Sequence, residues 1–124
     1  MKIYYANRIT LDRKILVSNM VTKECKFLDP RHDLRNHSPD GFEWGYGGSG
    51  PAQLALAILA DLIDVETALD FYQDFKWKVI GNLCLDCWVL QETDVRAALH
   101  AIEQERETMA GKTYPLIRSQ QNGE

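Results

Sequence analysis

The sequence predicts an α+β fold, an N-terminal antiparallel sheet packed on a buried central helix with two further amphipathic helices around it. Three observations predict it. Apolar and polar residues alternate through much of residues 1–29, an almost unbroken apolar run of helical length fills 54–63, and two later segments repeat apolar residues at helical spacing.

MKIYY and KILVSNMV are the first two strands, and ECKFLD is a third, since β-branched and aromatic residues alternate with polar ones between turn formers. From Pro30 to Gly50, PRHDLRNHSPDGFEWGYGGSG keeps neither period. A loop of about twenty residues inside a compact domain is usually functional or disordered, and the aromatics Phe42, Trp44 and Tyr46 argue for order.

Pro51 suits the first position of a helix, where its missing N–H costs nothing, with Ser49 or Gly50 as the N-cap. The run LALAILADLI that follows is apolar on nearly every side, the pattern of a helix in the middle of a domain. A second helix, Glu66 to Asn82 with Asp64 as its cap, puts Ala68, Phe71, Tyr72, Phe75 and Val79 on one stripe and turns Asp70, Asp74, Lys76 and Lys78 outward. CWVLQ returns as a strand, and ETDVRAALHAIEQERET is an amphipathic helix with Val95, Leu99 and Ile102 inward. Residues 1–110 make one domain in this reading, and 111–124 a partly ordered tail whose Tyr114, Leu116 and Ile117 are available for docking.

The chain has 124 residues, 45% of them apolar, enough for a single core. It contains neither an apolar run long enough to span a membrane nor a secretory signal, which predicts a cytoplasmic protein without membrane contact. A net charge of −4 argues against a broad nucleic-acid surface, although Arg8, Arg13, Lys14, Lys23, Lys26, Arg31 and Arg35 concentrate basic charge early in the chain. Cys25, Cys84 and Cys87 are too few for a disulfide framework. The pair Cys84 and Cys87 lacks a second pair to complete a zinc site, so the thiols are expected to be buried or half-buried, with no metal and no cofactor implied.

Gly45, Gly47 and Gly50 satisfy the dinucleotide pattern G-x-G-x-x-G, but the preceding HSPDGFEW is no strand, and the region twenty residues on is helical where an acidic strand end is required. Pro51 and Ala52 stand where a phosphate-binding P-loop needs lysine and then serine or threonine. Pro51 likewise breaks the nucleophile elbow around Ser49. What survives is physical: open backbone N–H groups at a helix start beside glycines form an anion site. Phe42, Trp44 and Tyr46 offer ring faces, and Arg31, Arg35 and His37 offer charge. With Glu43, Gly47, Gly48, Ser49, Gly50 and Gln53 they make the candidate site for a phosphorylated, nucleotide-like small molecule. The alternative is that the glycines only turn the chain and the aromatics cap the core beneath.

Two further readings stay open. His37 and Glu43, with Asp33, form an acid–base set for a small hydrolase if the loop folds them together, whereas His32 and His100 read as ordinary surface residues. Trp44, Trp77 and Trp88 are anchors for a protein partner or a homo-oligomer.

The stretch LDPRHDLRNHSPDGFEWGYGGSGPAQLALAILAD, with YQDFKWKVI and CWVL downstream, resembles a family of small bacterial and phage proteins described only as a domain of unknown function. The likeness spans roughly residues 1–100 and is most specific in HSPDGFEWGYGGSGPAQLAL. It brings no activity, and implies a setting in phages and mobile elements, where small acidic proteins serve counter-defence. Anti-Thoeris proteins, which sequester cyclic ADP-ribose signals, are similar in size and in needing a phosphate-and-base pocket, but none of their binding residues carries over by position.

Overall fold

The structure, a computed structural model, describes residues 1–113, with side chains as far as Ala110. The expected docking of Tyr114, Leu116 and Ile117 lies outside the described residues.

Four strands, β1 (Lys2–Asn7), β2 (Leu16–Asn19), β3 (Cys25–Phe27) and β4 (Cys87–Gln91), form one sheet in the order β3-β2-β1-β4. Every neighbouring pair is antiparallel. The pleat sends Tyr4, Ala6, Val17, Trp88 and Leu90 to one face, where all are buried. A one-turn helix, α1 (Arg8–Leu11), follows β1 and is absent from the sequence reading. Asn7 caps it, accepting from the N–H groups of Ile9 and Thr10.

The buried helix α2 (Ser49–Leu62) lies against the inner face of the sheet, where the Tyr4 hydroxyl donates to Asp61 near its end at 2.7 Å. Gly50 to Leu59 are all buried. Each fully buried leucine or isoleucine there contributes about 1.5–3 kcal/mol of gross transfer energy. The helix begins two residues before the expected start, with Gly48 as N-cap, so Pro51 occupies the third helical position. That position still has no intrahelical acceptor for its N–H, which is why proline fits.

Helix α3 (Val65–Lys78) packs on α2, and Asp64 caps it as expected, accepting from Thr67 N–H at 2.7 Å. It stops short of the expected Asn82. Asn82 donates its side-chain amide to the Trp77 and Lys78 carbonyls while Ile80–Asn82 tightens into a 3-10 turn. Ala68, Tyr72 and Phe75 are buried as the stripe requires, but Lys76 is buried too, with its ammonium 4.4 Å from the Trp77 ring. The stem lies along apolar surface and the charge sits over a ring face, an arrangement open to long amphipathic side chains. Helix α4 (Glu92–Thr113) buries Val95, Leu99 and Ile102 as expected and runs longer than its apolar pattern.

All three cysteines are exposed, which corrects the expectation of buried thiols. Cys25 and Cys87 stand at outward positions of edge strands, and Cys84 lies in the turn before β4. No helix among the described residues is long and apolar enough to cross a membrane.

Candidate functional site at the glycine loop

The loop between β3 and α2 is fastened at two places. Its first half hangs on Gln53, fully buried in α2. The Gln53 carbonyl oxygen accepts from the N–H groups of His37 at 2.8 Å and Ser38 at 3.4 Å, and its amide nitrogen donates to the carbonyls of Pro30 at 2.6 Å and Arg35 at 3.0 Å. A candidate ligand residue therefore has its whole side chain committed to the loop backbone. Beside it, the His37 ring nitrogen lies 2.8 Å from the Tyr72 hydroxyl on α3.

The second half is fastened by aromatic packing. Phe42 and Trp44 are buried, and Trp44 donates its indole N–H to the Leu85 carbonyl at 3.1 Å. Its ring meets Trp88 edge-on at 5.7 Å and lies 4.4 Å from the Arg8 guanidinium. Neither Phe42 nor Trp44 presents the open ring face expected for stacking on a base. Between them, Glu43 accepts from Arg8 at 2.9 Å, with Arg13 3.9 Å away. That hydrogen bond holds the Arg8 guanidinium above its ordinary range, against a smaller opposing effect of burial.

The glycines are filled from within the chain. A β-carbon on Gly47 would strike the Trp77 ring, one on Gly45 would strike Leu85, and one on Gly48 would lie 2.6 Å from the Tyr46 ring. Gly45 also has φ +86°, and its N–H donates to the Ile80 carbonyl at 3.0 Å. On Gly50 the added carbon would lie 2.6 Å from Glu43 Cβ and 3.1 Å from its backbone nitrogen. These positions let the chain approach itself closely.

The candidate residues are only partly brought together. Glu43, Trp44, Tyr46, Gly47, Gly48, Ser49 and Gly50 gather at the start of α2, whereas Arg31 lies elsewhere. Arg31 adopts φ 57°, pairs with Asp33 at 3.0 Å, and lines a cavity of about 400 Å³ with Lys2, Lys26, Asp29 and Asp61 beside Ala57 and Ala60. At the helical rise, that is about 10–15 Å along α2 from Gly50. Arg35 donates to the neighbouring Leu34 carbonyl and is exposed. Asp61 also accepts from the core residue Tyr4, and burial first and this carboxylate second push the Tyr4 hydroxyl above its ordinary range.

For acid–base chemistry the geometry is unfavourable. His37 is engaged by Tyr72 and Glu43 by Arg8, and the two side chains share no hydrogen bond among the described residues. No group of three metal-ligating side chains occurs among those residues either. Sequence reading missed Leu85, Arg8 and Arg13, which reach the loop from distant positions. Nothing in their local pattern signals it.

The chain belongs to a family of unknown function (DUF6166), which matches it over residues 6–101, a span that includes the whole loop and the elements it packs on. Comparison with curated proteins and with solved structures finds no match.

Proposed function

We propose that the protein is a non-catalytic binding module that takes hold of another protein through the aromatic rim of its glycine loop. One observation carries this reading. Tyr46 of the loop, Trp77 of α3 and Leu85 of the turn before β4, 51%, 62% and 57% exposed, stand against Gly48, Gly47 and Gly45, so three large side chains from three segments stand outward over a loop that is itself firmly packed. Grouped exposed apolar side chains mark interaction surfaces, and tryptophan and tyrosine are the favoured anchors. Of the three tryptophans, Trp77 is the one free to act so, since Trp44 and Trp88 are buried.

The test is affinity purification from the natural host, with the native chain and Trp77→Ala side by side. A protein held by the native chain should be lost from the variant, with affinity down at least about 30-fold, the factor expected for an anchor residue. Equal retention by both, at equal melting temperature, would remove the rim as the contact.

A second reading has its own observation in favour. The N-cap of α2 is Gly48, which offers no side chain to the first turn, and the exposed Tyr46 ring stands next to it. An anion carried on a flat base, a phosphorylated nucleotide-like ligand, matches that pairing. Sequestration of a cyclic ADP-ribose type of signal in phage counter-defence is its finest form and draws on the resemblance alone. A ligand at one hundred times its dissociation constant adds about 2.7 kcal/mol to the folded state. A nucleotide panel without any melting shift counts this reading out.

A further inference from the structure

The cavity toward the C-terminal end of α2 is used by neither reading of the glycine loop. On the α2 side it is lined by Ala57, Ala60 and Asp61, positions i, i+3 and i+4 of one helix face, and the short alanine side chains leave about 400 Å³ open beside them. Cavities of about 300–1,000 Å³ hold small molecules. The rest of the lining is mostly charged: Lys2 comes from β1, Lys26 from β3, and Asp29 and Arg31 from the loop that follows. Three cations thus face two carboxylates, in a chain whose net charge is −4.

Part of the bonding capacity around this space has no partner inside the chain. Asp61 takes the Tyr4 hydroxyl at 2.7 Å and the Lys2 ammonium at 3.2 Å on the same oxygen, Oδ2. Its Oδ1 lies 3.9 Å from the Lys26 ammonium, close enough for charge attraction but too far for a hydrogen bond. Arg31 donates Nε and Nη2 to Asp33, which leaves Nη1 without an acceptor among the described residues. Asp29 accepts the Arg31 N–H on Oδ1 at 2.9 Å, and its Oδ2 accepts no hydrogen bond among those residues. Lys26 and Arg31 therefore bring donors to the cavity, and Asp29 and Asp61 bring acceptors.

We propose that this cavity is a binding site for a small hydroxylated anion, a sugar acid or a sugar phosphate, separate from the glycine loop. The anionic group pairs with Lys26 and Arg31 in charge-assisted hydrogen bonds, while hydroxyl groups donate to Asp29 and to Asp61 Oδ1. The lining selects this class. An apolar ligand would take these donors and acceptors out of water without partners. A ligand ammonium would add to a lining that is already net positive, whereas hydroxyls serve the two carboxylates without adding charge.

The experiment is amide NMR titration of the isotope-labelled full chain with glucuronate, glucose 6-phosphate, glucose and inorganic phosphate, each to about 10 mM at low salt. Glucuronate or glucose 6-phosphate should move the signals of Lys26, Arg31 and Asp61, and whichever binds tighter identifies the anionic group as carboxylate or phosphate. Glucose and inorganic phosphate should bind at least about 10-fold more weakly, each lacking half of the contacts. Two variants keep the test independent of folding, which circular dichroism reports for each. Lys26→Gln, at an exposed edge-strand position, should weaken the better anion at least about 10-fold. Ala60→Leu, which fills the cavity without changing its charge, should abolish binding. A native chain that responds to neither sugar anion overturns the proposal, as does binding left unchanged in both folded variants. Inorganic phosphate or glucose binding as tightly as the sugar anions overturns it too, and so do shifts confined to residues 48–52 at the start of α2.

Discussion

The two halves of the long loop are fastened by opposite means. Residues 30–38 contain few apolar side chains, and one buried amide, Gln53, serves their backbone on both its donor and acceptor sides. Residues 41–50 are held by shape: Trp44 fills the core, and the glycines admit Trp77, Leu85 and Glu43 at distances that a β-carbon forbids. A polar clamp fixes where a backbone runs. Glycine packing fixes which side chains stand outward above it, and so creates the exposed rim.

The comparison breaks most severely at Trp44. Trp44→Ala should cost about 3–5 kcal/mol, since it empties a fully buried site and removes the hydrogen bond to Leu85. Denaturant titration checks this, and a loss below about 1 kcal/mol would mean that the second half is not held by shape. Gln53→Leu should cost about 1–3 kcal/mol by leaving part-buried loop carbonyls and N–H groups without their protein partner. Hydrogen exchange should then rise at His37 and Ser38 and stay unchanged at Gly45, whose N–H bonds to Ile80.

Substitution among the glycines sharpens the contrast. Gly50→Ala meets the backbone of Glu43 and should cost about 1–3 kcal/mol, whether or not any ligand binds there. Gly48→Ala meets the exposed Tyr46 ring, which can swing away, and its extended φ of −147° suits any residue. It should therefore melt within about 0.5 kcal/mol of the native chain, which makes it the cleaner probe of an anion at the start of α2. Equal losses in the two variants would show that Tyr46 is fixed as firmly as Glu43.

The smallest effect is electrostatic. A hydrogen bond from Thr67 N–H holds Asp64 below its ordinary 3.8, and one from Lys2 N–H, followed by Arg96, holds Glu92 below its ordinary 4.5. Carboxylates depressed in the folded state stabilise it above their ordinary values and lose that contribution as pH falls through the folded ones. The melting temperature should thus drop modestly below about pH 4.5, and Asp64→Asn should flatten part of the drop. An unchanged slope in that variant would remove Asp64 as a source.

Most of the fold was legible because strand and helix each impose a period on burial. The strands, the buried character of α2 and the Asp64 cap follow from spacing that backbone hydrogen bonding dictates locally. The candidate site was legible only as composition. A loop has no period, so the sequence did not distinguish Trp44, which turns in to meet Trp88, from Tyr46, which stays out against Gly48. Nor did it show that Gln53 faces the loop, that Arg31 leaves for the Asp61 cavity, or that Lys76 is buried. Those outcomes depend on partners as distant in sequence as Leu85 and Trp77, which come beside the loop only when the sheet and α3 close around α2. The sequence by itself determined the strands, the three long helices and the axis of the core, because local periodicity is enough for that, whereas the one-turn α1 and the 3-10 turn after α3 are too short to show a period. Which side chains of the loop became surface was decided by the tertiary structure, because in aperiodic chain the direction of a side chain is set by what packs against it.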